Sequence, residues 1–196
     1  MSLKESNEIT VKIKCGINEL YKILEEKGFK IVDIFSMNDI YFIPENLDIE
    51  KMSVREIISK AILVREIETY NTDNIKRMIT YKIKEFDSEG NILTQKAFNC
   101  KIYDIEEARI LLKTIGYKEI MIIKENDKVF EKEGFELAIK DIENGDKLIE
   151  VETEDNEEYD TIEKLKNKIN EINIPIYTDN YFIKKAEVEL NKILKR

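Results

Sequence analysis

Residues 8–14 read Glu8-Ile9-Thr10-Val11-Lys12-Ile13-Lys14, and the rest of the chain is interpreted outward from this stretch. Successive side chains of a strand leave opposite faces, so Ile9, Val11 and Ile13 point one way and Glu8, Thr10, Lys12 and Lys14 the other. The apolar face belongs to a core. The polar face is either wetted by solvent, the usual arrangement in an antiparallel sheet, or turned toward a polar interior that holds a ligand.

The sequence that follows supplies more strands of the same kind. Gly16 breaks the first one, and Asn18 is placed to cap a helix carrying Leu20, Ile23 and Leu24 on one face, closed by Gly28. Residues 29–43 form a second strand region, with an interruption expected near Ser36 and a stop at Pro44. Residues 45–60 read as a loop with a short helix. Residues 61–69 and 75–86 are the third and fourth strands. A turn at Asp87-Ser88-Glu89-Gly90-Asn91 leads into a fifth at 92–102, which makes a hairpin.

Asp104 caps a second helix with an apolar stripe of Ile105, Ala108, Leu111, Leu112 and Ile115, ended by Gly116. Residues 119–131 and 135–142 form another hairpin around Lys132-Glu133-Gly134. Asn144-Gly145 is a hairpin-turn signal leading into a last strand at 147–152. An acidic connector at 154–160, a helix at 161–172, a break at Pro175 and a final amphipathic helix at 180–196 complete the chain. About eight antiparallel strands with helices packed outside define an α+β fold, and this number of long strands closes readily into a barrel.

Composition narrows the chemistry. The 196 residues are 42% hydrophobic and 37% charged, which suits one domain over 1–196 with an ordinary core. No apolar run approaches the roughly 20 residues of a membrane span, and the N-terminus lacks the apolar core of a secretory signal. The two cysteines, Cys15 and Cys100, make no framework of bridges and fit a reducing cytoplasm. A net charge of -9 argues against a nucleic-acid partner. It does not argue against anionic small molecules, because a local basic cluster outweighs the sum.

Histidine is absent from the sequence, which removes Ser-His-Asp and Cys-His nucleophilic sites and His-ligated zinc. Neither Gly-x-x-x-x-Gly-Lys nor Gly-x-Gly-x-x-Gly occurs. Chemistry therefore falls to carboxylates, lysines, arginines and any metal held by oxygen atoms, a ligation that suits Mg²⁺ or Mn²⁺.

The order and spacing of these motifs resemble the CYTH superfamily, or triphosphate tunnel metalloenzymes, with class IV adenylyl cyclase-like proteins as the nearest branch. The resemblance runs from Glu8 to about Tyr181. Glu8-Ile9-Thr10-Val11-Lys12 resembles the opening Glu-x-Glu-x-Lys, with Thr10 in place of the second Glu and Lys14 following. Asp39-Ile40-Tyr41 resembles Asp-x-Tyr, and Leu63-Val64-Arg65 a Leu-Arg strand. Thr80-Tyr81-Lys82 matches Thr-x-Lys, and Lys96 stands where an Arg is usual, with Phe98 at the position of a Glu. Leu148-Ile149-Glu150-Val151-Glu152 matches the closing Phe-x-Glu-Ile-Glu, and Asn180-Tyr181 resembles a C-terminal Ser-Tyr. Two departures reverse charge: aligned without gaps, Glu125 and Asp127 fall on a Lys-x-Arg, where a one-residue shift would give Lys124-Glu125-Asn126 and keep only the Lys, and Lys140 falls on an Asp, with Asp141 adjacent but on the other face.

The resemblance implies an eight-stranded antiparallel barrel forming a triphosphate tunnel. Its ligand would be a small-molecule triphosphate: ATP, thiamine triphosphate or a short polyphosphate. Lys12 and Lys82 would be catalytic, and Lys12, Lys14, Arg65, Lys82 and Lys96 would grip phosphates. Glu8, Glu150 and Glu152 would hold Mg²⁺ or Mn²⁺. Either a cyclase or a triphosphatase would use this set, and a homodimer is left open. A catalytically degenerate protein that binds an anionic ligand or serves a protein partner is the alternative. Taken alone, the lysines read as solvated surface charges, Glu150 and Glu152 as an exposed edge, and Arg65 as half of a structural salt bridge. Asp39 and Tyr41 read as organisers of a turn and core, and Tyr181 as packing. Lys140 paired across a hairpin with Glu125 or Asp127 would reconcile the charge reversals with the fold.

Overall fold

The computed structural model describes residues 8–72, 74–86, 92–152, 159 and 161–195. The expected turn at 87–91, and the acidic connector at 154–160 apart from Tyr159, lie outside the described residues. Eight strands form one antiparallel sheet: β1 (Glu8–Lys12), β2 (Lys30–Pro44), β3 (Ile62–Thr69), β4 (Asn74–Phe86), β5 (Ile92–Lys101), β6 (Tyr117–Lys132), β7 (Phe135–Ile142) and β8 (Lys147–Glu152). Their order is β1-β8-β7-β6-β2-β3-β4-β5. Five helices join them: α1 (Ile17–Glu26), α2 (Val54–Ser59), α3 (Ile105–Thr114), α4 (Ile162–Glu171) and α5 (Lys185–Leu194).

The chain falls into two compact units. One comprises Ser36–Lys124 and Lys185–Arg196, the other Ser2–Phe35 and Glu125–Lys184. In the second unit Ile9, Val11 and Ile13 enter a core with Leu20, Leu24, Phe130, Leu137, Ile139, Ile149, Leu165 and Ile169. Helices α1 and α4 supply the last of these contacts, so the apolar face of β1 is the helix-covered face. Its polar face is shared with β8: Glu8 lies opposite Glu152, Thr10 opposite Glu150, and Lys12 opposite Leu148. In the first unit Ile40, Phe42 and Val64 pack beneath Ala108 and Leu112 of α3. Strand parity then sends Asp39, Leu63 and Arg65 to the other face.

Several local expectations hold. Asp104 caps α3 by accepting from the Glu107 amide, and Gly116 follows the helix at φ +89°, a conformation glycine adopts without penalty. Glu133 (φ 55°), Gly134 (φ 77°) and Asn144 (φ 57°) take up left-handed backbone at the two hairpins. Other expectations are corrected. Gly16, not Asn18, is the N-cap of α1, and it makes no side-chain cap. Strand β2 runs through Ser36 without interruption. The last helix is shorter than expected, because residues before Lys185 have another role.

That role bears on the barrel. The outer edge of β1 is bonded by residues 175–183. The Thr10 amide donates to the Tyr181 carbonyl at 2.8 Å, Ile183 donates to Thr10 at 3.1 Å, and Tyr177 donates to Lys12 at 2.8 Å. These bonds use the groups that a closing β1–β5 ladder would need, and no such ladder appears among the described residues. Instead, the exposed edge of β1 is covered by the chain's own C-terminal segment, one of the standard ways to protect a strand edge.

Ile149 is fully buried at the centre of the second unit. Ile149→Ala is expected to lower the unfolding free energy by about 2–5 kcal/mol, read from urea denaturation, as a partly collapsed cavity requires.

Candidate functional site

The first unit gathers charge on the face of β2, β3 and β4 opposite α3. Asp39 is completely buried. The Arg65 guanidinium grips it with two parallel bonds, Nε to Oδ1 and Nη2 to Oδ2, both 2.6 Å. Such a fork geometry is among the strongest charge-assisted contacts available to a protein. The Lys185 ammonium at the start of α5 lies 3.7 Å from Asp39 Oδ2. Burial pushes the Asp39 carboxyl up, but Arg65, Lys185 and Lys82 more than offset this and hold it below its ordinary range. Three of these four groups are cations. Beside them Thr80, itself buried, donates to Asn99 Oδ1 at 2.8 Å across the β4–β5 ladder.

Register settles which expected lysines share this face. Arg65 pairs opposite Met78 on β4, so Met78, Thr80 and Lys82 lie on its side. Lys96 pairs opposite Ile83, the parity of Ile79 and Tyr81, and therefore lies on the α3 side. Its ammonium rests 4.8 Å from the Phe98 ring centroid instead. Lys96 is thus not placed with Arg65 and Lys82. Position in a motif did not reveal this, because a one-residue difference in register exchanges the faces.

The second unit holds the remaining expected residues. Lys12 forms a 2.8 Å pair with Asp146 Oδ1, and that hydrogen bond raises its pKa. Lys14 is past the end of β1 and lies 5.2 Å from the Tyr177 ring centroid. Tyr181 has the packing role expected of it and donates to Asn170 Oδ1 at 2.9 Å.

On the polar face of the same unit, Lys140 is the central group. It pairs in register with Asp127, and its ammonium donates to Asp127 Oδ2 at 3.4 Å and lies 3.0 Å from Glu150 Oε1. Asp127, Glu125 and Lys140 are all buried. Burial pulls the ammonium pKa down, but Glu150, Asp127 and Glu125 overcome it and raise it above the ordinary lysine value. The pairing of Lys140 with Asp127 across the hairpin is one of the two that the sequence reading put forward. Asp141 faces the other way, pairing with Lys147. Nearby, Tyr21 is pushed up to about 12, first by burial and then by Asp141 and Asp127.

The oxygen donors expected to hold Mg²⁺ or Mn²⁺ can be tested against this geometry. Glu8 and Glu152 face each other across β1 and β8. The residue beside them is Thr10, whose hydroxyl donates to Glu8 Oε1 at 3.4 Å. Glu150, the third expected ligand, has given an oxygen to Lys140. Among the described residues no three acidic or cysteine side chains converge as a ligand set. As arranged, Glu8, Glu150 and Glu152 do not fit a shared divalent ion. A cavity of about 330 Å³ lies elsewhere, lined by Lys27, Phe29, Lys132, Phe135 and Lys168 among others, and holds none of the expected site residues.

Sequence reasoning missed Lys185 and Asp146. Lys185 is one of many lysines in a helix assigned only by its apolar stripe, and Asp146 follows a turn signal that accounts for it without any partner.

No family model matches the chain. A relative from Methanocaldococcus jannaschii named "Putative adenylate cyclase MJ0240" is 27% identical over 188 residues, covering 93% of this chain and 98% of that protein. The protein PH1819 of Pyrococcus horikoshii has a similar structure, with a TM-score of 0.68, 21% identity and coverage of 97% and 99%. A structure from Vibrio parahaemolyticus titled a "putative adenylate cyclase" matches at a TM-score of 0.60 and 11% identity over the full length of both chains. The structural likenesses establish the fold. No helix is long and apolar enough to cross a membrane among the described residues.

Asp39→Asn should reduce stability at pH 7 by roughly 3–5 kcal/mol, because it leaves Arg65 facing uncompensated charge. The Asp39 carboxyl is lowered in the folded protein, so its contribution is complete above the unfolded value of about 3.9 and is lost as pH falls through the lower folded value. Urea midpoints at pH 7 and below pH 4 should therefore show the difference between wild type and Asp39→Asn shrinking in acid.

Proposed function

We propose that this chain is a CYTH-like protein that binds a nucleoside triphosphate through its phosphates and carries out adenylate cyclase-type chemistry on it. The observation that carries the reading is Arg65 held on Asp39 by two 2.6 Å bonds, with the Lys185 ammonium 3.7 Å from the same carboxylate and Lys82 on the same sheet face. A guanidinium and ammonium groups on one sheet face suit phosphate oxygens, with Arg65 held in one orientation by Asp39 and the lysines supplying charge. Asp39 positions Arg65, and partial burial strengthens each interaction relative to water. The 27% identical relative, named for this activity, supports the same reading.

In cyclisation the ribose 3′-oxygen attacks the α-phosphorus and pyrophosphate leaves. In hydrolysis water attacks the terminal phosphorus. The cationic group would stabilise charge developing on phosphate oxygens in either case. A divalent ion entering with the nucleotide would neutralise the same oxygens, and it belongs to the substrate in this reading. A cytoplasmic location belongs to the same proposal.

A second reading has its own support. The ammonium of Lys140 engages Glu150 at 3.0 Å, on the face where the resemblance places metal ligands. A protein that binds a phosphorylated anion without turning it over is consistent with that pairing.

The test is incubation of the purified protein with ATP, thiamine triphosphate and tripolyphosphate, each with Mg²⁺, Mn²⁺ or EDTA, scored for cyclic AMP, pyrophosphate and phosphate. Cyclic AMP is expected, with kcat/KM falling about 100-fold or more in Arg65→Ala. Saturable binding of ATP by calorimetry without any product would select the second reading. Absence of both binding and product would remove the nucleotide from the account altogether.

A further inference from the structure

Helix α5 begins at the charged face of the first unit. Its first residue is Lys185, whose ammonium stands 3.7 Å from Asp39 Oδ2. Neutralising Asp39 does not require it, because the Arg65 guanidinium already meets both carboxylate oxygens at 2.6 Å. Two cations on one carboxylate leave positive charge over. Asp39 is fully buried, whereas the Arg65 and Lys185 side chains are each 17% exposed. A ligand arriving from solvent therefore meets the two cations, with the carboxylate behind them. Helix stability does not account for the lysine either, since a cation in the first turn opposes the helix dipole.

A contact two residues further on sets where this ammonium stands. Glu187 of α5 accepts two bonds from Arg55 of α2, Oε1 from Nε at 3.0 Å and Oε2 from Nη2 at 3.3 Å. A fork of this kind fixes direction as well as distance. α2 is anchored on its own account: Ser53 and Glu56 close a capping box at its start, and Val54 and Ile57 are buried. The Arg55 and Glu187 side chains are 40% and 23% exposed, so the pair adds little to global stability. Its effect is local, on the placement of the first turn of α5.

We propose that Arg55 and Glu187 are positioning residues: their ion pair docks α5 on α2 and so holds the Lys185 ammonium beside Arg65, where both meet the phosphates of a bound triphosphate. This rests on the nucleotide reading and adds a requirement to it. The phosphate site is completed by the C-terminal helix, through a pair that touches no ligand.

The test is calorimetric titration of the full-length protein with ATP and with tripolyphosphate, each with Mg²⁺, and circular dichroism of every variant. Lys185→Ala should raise Kd for both probes about 10-fold, the loss of one charge-assisted contact. Arg55→Glu and Glu187→Arg should each raise it about 3- to 10-fold, and combining them should restore most of the affinity by re-forming the pair with its signs exchanged. Added to Lys185→Ala, Arg55→Glu should change Kd by less than about 2-fold, because the pair acts through the lysine.

Lys185→Ala binding as wild type does, while Arg65→Ala has lost affinity, would overturn the inference and leave the nucleotide reading standing. Arg55→Glu weakening binding as much without Lys185 as with it would also overturn it, since the pair would then act on the fold alone. Wild type that binds neither probe removes both proposals together. If Arg55→Glu is unfolded by circular dichroism, Glu187→Gln removes one charge without reversing it, and the same comparison with and without Lys185 decides.

Discussion

A charge removed from water must be met by another charge or it cannot remain ionised. Much of the polar architecture of this protein follows from that requirement. Asp39 is fully buried and Lys140 nearly so, and each is surrounded by groups of the opposite sign. Asp39 has Arg65, Lys185 and Lys82 around it. Lys140 has Glu150, Asp127 and Glu125. The pleat makes both clusters possible, because a strand that sends its apolar residues to a helix-covered core must send the intervening residues to the other face.

The two clusters are inverse in sign, and their chemistry follows. A carboxylate ringed by cations serves to orient them. Arg65 held through Nε and Nη2 cannot rotate away, and a preoriented guanidinium loses less freedom when it meets a phosphate. An ammonium ringed by carboxylates offsets part of their charge and ties their strands together. Each unit therefore carries a polar face whose charges are already balanced in part by side chains of the chain itself. The clusters differ in what further ligand each can accept.

Much of the fold was legible in the sequence, because strand and helix periodicities are local. The alternation at 8–12, the stripe positions Ile105, Ala108 and Leu112 (though not Leu111 and Ile115, which are exposed) and the hairpin signals at Gly134 and Asn144 each acted through adjacent residues and the backbone they require. The pairing of Lys140 with Asp127 could also be reached, since two strands joined by a short turn have their register set by that turn. Lys96 could not be placed this way. Its hairpin has a longer connection and a shift in register between Glu85 and Phe86, so counting along a motif carries no information about the face. The edge of β1 was hidden for a different reason. Residues 175–183 bond to it through their backbone, and backbone pairing leaves no periodic trace in side-chain identity. Lys185 gains its meaning only from Asp39, 146 positions earlier in the chain.

A shared fold fixes which positions face which way, and it leaves open what those positions do. The cluster around Lys140 illustrates the difference. Replacing an acid by a lysine on one strand would ordinarily destabilise a buried face, because the new charge loses its hydration without gaining a partner. Here Glu125 and Asp127 on the neighbouring strand stand where the resemblance expects basic residues, and Asp127 together with Glu150 meets the Lys140 ammonium. Reciprocal exchange of this kind preserves packing, register and core while changing which ions the surface attracts. That is why likeness to solved structures at 11–21% identity can report the sheet faithfully, while the activity has to be read from individual side chains.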